Sequence, residues 1–198
     1  MNSKEFNKKY QLRQVELRNA SVEEKDGKMI LEGYAVVFNS PTVLFKYQGV
    51  EYKEVIDASA FDETDTSDCC LKYNHGGMLL ARTRGGSLEL KQDNVGLYFR
   101  AELFDTTVSR DVYSVVKAGG LDKCSFSFRV KEEKYNDETH TRTILKIEKL
   151  FDVAVVDTPA YNDTSVSARS LFEMEIENEK RELENSKLRE RLIVESYL

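Results

Sequence analysis

The chain has 198 residues, 40% of them hydrophobic and 32% charged, which fits one folded domain plus an extension and leaves little room for two sizeable cores. A formal net charge of −6 argues against a general nucleic-acid binder, which carries a basic excess or a basic face. No apolar run approaches the roughly 18 residues of a membrane span, and residues 1–9 lack the apolar stretch of a secretory signal, so a cytoplasmic protein without a membrane partner is expected.

Taken in order, Gln14 to Arg18 alternates well enough for a first strand. Asp26-Gly27 is a hairpin-type turn, and Lys28 to Phe38 follows as a long apolar strand ended by Asn39-Ser40-Pro41. Val50 to Ile56 is a further strand, and the Asp- and Thr-rich segment 62–68 reads as an exposed loop or short helical turn. Cys69 to Tyr73 then delivers His75 to an Asn-His-Gly-Gly turn. Leu79–Arg84, Ser87–Gln92 and Val95–Leu103 are short strands with Gly and Asn between them, the pattern of an antiparallel meander.

The helical signal comes next. Val108, Val112, Val115 and Val116 share a face, with Asp105, Thr106 or Thr107 as cap and Gly119-Gly120 as stop. The helix runs into Lys123 to Val130, where Cys124, Phe126, Phe128 and Val130 alternate with Ser125, Ser127 and Arg129. One face of that strand is core and the other offers hydroxyls held on a rigid element. Thr141 to Val156 forms two strands or one long bent one, and its core, Leu150 to Val156, is apolar on both faces except at Asp152. Residues 173–195 are dense in Glu, Lys and Arg, with Ile176, Leu183, Leu188 and Leu192 too sparsely spaced for a sustained heptad, so an exposed charged helix is expected.

Three cysteines, Cys69, Cys70 and Cys124, with no C-x-x-C pair indicate reduced thiols rather than a disulfide framework or zinc site. The two histidines stand far apart, and no carboxylate pair has metal spacing; no G-x-G-x-x-G, P-loop or G-x-S-x-G motif occurs either. Neither a metal nor an organic cofactor is expected. Ser125, His75 and Asp152 instead supply a nucleophile, a base and an orienting carboxylate, each on or beside a predicted strand. A carboxylate inside a doubly apolar strand demands a partner, and by this argument an arginine serves as well as His75. Ser127 shares the face of Ser125, so alternation does not choose between them, while His140, in a polar stretch, is expected to be exposed.

Glu32-Gly33-Tyr34-Ala35-Val36-Val37-Phe38, Glu54-Val55-Ile56 with Ala60-Phe61, Asn74-His75, Asp93 to Leu97, Ala118-Gly119 before Ser125-Phe126-Ser127-Phe128, and Thr158-Pro159-Ala160-Tyr161 occur in this order. From about residue 12 to 169 the sequence thereby resembles the prohead maturation proteases of tailed bacteriophages. The resemblance implies a mainly β, α+β fold, a compact antiparallel β-barrel with flanking helices like that of the herpesvirus assemblins. It implies three regions: a flexible N-terminus over 1–11, a protease domain over 12–169 and a charged helical tail over 170–198. Carried over by motif, His75 is the general base and Ser125 the nucleophile, with Ser127 standing where the family usually has glycine. Asp152 stands where the family usually carries glutamate. The implied activity is that of a serine endopeptidase acting in the host cytoplasm inside the assembling prohead, cleaving major capsid protein and scaffold segments and also itself, as a homo-oligomer. A catalytically inactive scaffold that retains the protease fold is the alternative.

Overall fold

Two long strands, Lys123–Asn136 and Thr141–Val156, organise the molecule, the first opening with the alternation of Cys124 to Val130 and the second closing with the apolar run of Leu150 to Val156. The structure, a computed structural model, describes residues 11–16, 18–25, 27–157 and 172–196. Its strands are β1 (Gln11–Glu16), β2 (Arg18–Lys25), β3 (Lys28–Val37), β4 (Thr42–Tyr47), β5 (Val50–Ile56), β6 (Cys70–Tyr73), β7 (Leu79–Arg82), β8 (Leu88–Gln92), β9 (Gly96–Glu102), β10 (Lys123–Asn136) and β11 (Thr141–Val156). The helices among the described residues are α1 (Thr107–Lys117) and α2 (Glu173–Ser196). None of the described helices is long and apolar enough to cross a membrane.

The antiparallel β10–β11 ladder places Ser125 opposite Ala154 and Ser127 opposite Asp152, with bulges from Ser127 onward that bend both strands. β1 pairs on the outer side of β10. The other edge of β11 is long enough for two partners, so its first half takes β5 and its second half takes β6, both in parallel. β4 extends β5 and β7 extends β6, making a seven-stranded sheet, and β2-β3-β9-β8 form a second sheet of four. Leu31, Leu71, Phe99, Phe126, Phe128 and Leu150 are fully buried in the common core, each stabilising by about 1.5–3 kcal/mol through burial.

The fold is thus mainly β with two helices, but several expectations need correction. Among the described residues the ladders form two open sheets rather than a closed barrel, and two pairings are parallel rather than antiparallel. The meander breaks after β7, where a 3₁₀ turn at Thr83–Gly85 and the left-handed Gly86 carry the chain from the first sheet to the second. β4 did not stand out in the sequence. It forms a hairpin with β5 across Gln48-Gly49, both at positive φ as a tight two-residue hairpin turn requires. On α1, capped by Thr106, the buried stripe contains Val112, Tyr113 and Val116, whereas Val115 points outward.

The charged helix α2 is exposed from Arg181 to Arg191, yet its first turns are docked. Phe172 and Ile176 are buried against Tyr52, and Phe45 stacks on Tyr52 with ring centroids 4.8 Å apart. His140 is half-buried rather than exposed: its Nδ1 lies 3.0 Å from Glu179 Oε1, which ties the turn before β11 to the helix.

Candidate active site

Over residues 124–128 the strand β10 has no solvated face. Ser125 is only 5% exposed and Ser127 fully buried, because β11 and β1 flank them and the Asn-His-Gly-Gly turn returns over the strand. Since β6 pairs with β11 in register, two rows of side chains cross three strands: Ser125, Ala154 and Lys72 in one, Ser127, Asp152 and Cys70 in the other. Alternation puts both rows on the same face.

The turn that carries His75 is built for a sharp reversal. Asn74 and His75 both adopt left-handed backbone conformations, with φ of 50° and 49°. Such positions cost about 1–2 kcal/mol each for residues with a Cβ, and asparagine and histidine tolerate them better than most. Gly77 follows because a Cβ there would lie 2.1 Å from the Tyr73 carbonyl oxygen. The turn is clamped to the end of β11: the Asn74 N–H donates to the Val155 carbonyl at 3.0 Å, and the Asp157 N–H donates to Asn74 Oδ1 at 3.3 Å. Strain at a turn persists only when its surroundings hold it in this way.

The result is a continuous hydrogen-bonded chain. His75 Nδ1 lies 2.6 Å from Asp152 Oδ1, and His75 Nε2 lies 2.6 Å from Ser125 Oγ. A carboxylate only accepts, so Nδ1 carries the proton and Nε2 presents its lone pair to the serine hydroxyl. The Arg13 carbonyl of β1, 2.9 Å from Ser125 Oγ, is an alternative acceptor for the single hydroxyl hydrogen. Asp152 is 2% exposed, and its other oxygen, Oδ2, lies 3.7 Å from Lys72 Nζ. The structure therefore brings together the three residues singled out in the sequence and leaves His140 with the tail helix.

Ser127 has a different role from Ser125. Its Oγ accepts the Asp152 N–H at 3.2 Å, bonding β10 to the backbone of the carboxylate-bearing residue. Cys124 is buried on the opposite face, where burial pushes its thiol up to about 12, which leaves it protonated and unreactive at neutral pH. Among the described residues no group of His, Cys, Asp and Glu is arranged to hold a metal ion.

Sequence reasoning missed two things. Lys72 could have been found only from the pairing of β6 with β11. The other is a second buried carboxylate, Glu54 on β5, which accepts from Arg13 Nη2 at 2.8 Å and from Arg142 Nη1 at 2.7 Å. Burial alone would raise the Glu54 pKa, but the two guanidiniums outweigh it and hold the carboxyl below its ordinary range. Arg13 thus anchors β1 through its side chain while its carbonyl reaches Ser125.

A family model of caudovirus prohead serine proteases matches residues 9–181. The chain belongs to that family. Its fold is similar to that of the bacteriophage T4 capsid assembly protease, gp21, with a TM-score of 0.51 over 76% of this chain and 98% of that one. At 9% identity, this likeness concerns the fold alone. No curated protein sequence matches this one. Membership makes the chain one of the phage proteases of capsid maturation.

Proposed function

We propose that this protein is a serine endopeptidase in which Ser125 is the nucleophile, His75 the general base and Asp152 the group that orients His75. The observation that carries this reading is the unbroken chain from Asp152 Oδ1 through both nitrogens of His75 to Ser125 Oγ, each link 2.6 Å. Ser125 Oγ attacks the scissile carbonyl carbon as its proton passes to His75 Nε2, and the imidazolium is stabilised by Asp152. The same proton then goes to the leaving amine, and a water deprotonated by His75 attacks the acyl enzyme, which breaks the ester to Ser125 Oγ, releases the acid and returns the proton to the serine. An inactive assembly protein finds no support in a site whose three side chains are all present at bonding distance.

The substrates of this reading are major capsid protein and scaffold segments, and the chain itself, processed inside the assembling prohead in the host cytoplasm by a homo-oligomer. The protease domain spans 12–169, with 1–11 as a flexible lead and 170–198 as a charged tail. Kinship with the herpesvirus assemblin fold belongs to the same proposal. The test is co-expression with the capsid protein, together with fluorophosphonate labelling. Ser125→Ala is expected to lower cleavage by at least about a thousand-fold and to abolish labelling, with the thermal unfolding midpoint retained, while Ser127→Ala still labels. Full processing by Ser125→Ala would remove the assignment.

A further inference from the structure

We propose that Lys72 is a positioning residue of the site, an ammonium that holds the second oxygen of Asp152 and tempers the pull of that carboxylate on His75. The inference rests on the reading of Ser125, His75 and Asp152 given above. Three observations carry it. Lys72 lies in the same cross-strand row as Ser125, two strands away through Ala154, and on the face that Asp152 shares, so the register of β6 on β11 sets its side chain within reach of the neighbouring carboxylate. Its Nζ is 3.7 Å from Asp152 Oδ2, while Oδ1 serves His75 Nδ1, so imidazole and ammonium share one carboxylate. Asp152 is nearly devoid of solvent and the Lys72 side chain is 30% exposed, so this ion pair is screened less than one between two exposed groups.

The electrostatic consequence has a definite sign. A lone buried carboxylate beside His75 would strongly favour imidazolium, and an imidazolium cannot take the proton of Ser125. The cation on Oδ2 offsets part of that field at rest, yet leaves Oδ1 to orient the ring and to stabilise the imidazolium when it forms. Among the described residues, Ser125 and Ser127 from β10 and Cys70 beside Lys72 on β6 share the face of this cluster. Cys69 and Cys124 are buried thiols whose ionisation burial suppresses. Asp157 at the end of β11 is engaged by the Tyr73 hydroxyl at 2.7 Å.

Two measurements on the full chain test this. The first is the pH dependence of kcat/KM for the parent, Lys72→Met and Lys72→Arg. Lys72→Met is expected to move the acidic limb upward by about half to one pH unit, with rates above that limb within about threefold of the parent, and Lys72→Arg is expected to restore the parent profile. The second is an NMR titration of His75 in a Ser125→Ala background with His140→Gln, which needs no activity and leaves His75 as the sole histidine of a sequence that has two. Its midpoint should rise by the same amount on adding Lys72→Met. Superimposable profiles, or a uniform loss at every pH, would reduce Lys72 to a structural or incidental residue and overturn the proposal. Lys72→Gln is read in the same way should Lys72→Met fail to fold. Failure of the underlying site reading looks different: cleavage would then survive Ser125→Ala whatever stands at position 72.

Discussion

The first sheet carries two buried carboxylates, and they have opposite fates. Glu54 faces two arginines and accepts hydrogen bonds on both oxygens, and among the described residues no hydrogen-bond partner of it could pass a proton at neutral pH. Asp152 is just as buried but faces an imidazole and an ammonium, and that imidazole, 20% exposed, reaches on to a serine hydroxyl. Burial of a charge therefore says only that a partner exists. The chemistry of the partner separates a structural ion network, which guanidiniums lock in one state, from a site in which a proton can move.

Neutralising each carboxylate should separate the two regions. Asp152→Asn is the change with the largest expected effect: cleavage should fall by about 10³–10⁴-fold, because an amide favours the wrong histidine tautomer, with little change in the urea unfolding midpoint. A variant within tenfold of the parent would break the comparison. Glu54→Gln should do the reverse. It removes the carboxylate that Arg13 and Arg142 share in the core, Arg142 keeping Glu133 as its anion, so unfolding free energy at pH 7 should drop by about 3–5 kcal/mol.

The pH dependence of that loss follows from the lowered pKa of Glu54. A carboxyl depressed in the folded state contributes stability that is present above its unfolded value and is lost as pH falls through the folded value. Urea titrations at pH 7 and pH 3 should therefore show the gap between parent and Glu54→Gln narrowing in acid. A gap that widens in acid would contradict the arginine clamp. The smallest expected effect belongs to Ser127→Ala, which removes the acceptor of the Asp152 N–H. A loss of about 1 kcal/mol in stability and less than tenfold in kcat/KM is expected, whereas a loss as large as that of Asp152→Asn would make Ser127 part of the proton path.

Much of this architecture was legible because it is local. The alternation in Lys123 to Val130, the turn at Gly27 between β2 and β3, a helix cap within Asp105 to Thr107 and the Asn-His-Gly-Gly turn each depend on residues within a few positions of one another, and each appears close to where the pattern puts it. The candidate trio was legible as well, since Asp152 breaks a doubly apolar run and histidine is rare in this chain. What stayed hidden was pairing at long range. Nothing near residue 72 indicates that β6 lies parallel to β11, and nothing near residue 54 indicates that Arg13 and Arg142 converge on it. The meander failed for the same reason: strand character is local, but the choice of sheet is made by whichever edge is free.

By itself the sequence determined which residues alternate, where the chain turns, which groups could act as nucleophile, base and carboxylate, and that the tail is charged. The tertiary structure decided that Ser125 rather than Ser127 meets His75, that Asp152 takes an imidazole while Glu54 takes the arginines, and that the tail docks through Phe172 and Ile176. The physical reason is one of range. Backbone sterics and periodicity act over a few residues, whereas hydrogen bonds and desolvated charges act over a few ångströms, and only the folded chain brings positions 75, 125 and 152 within that reach.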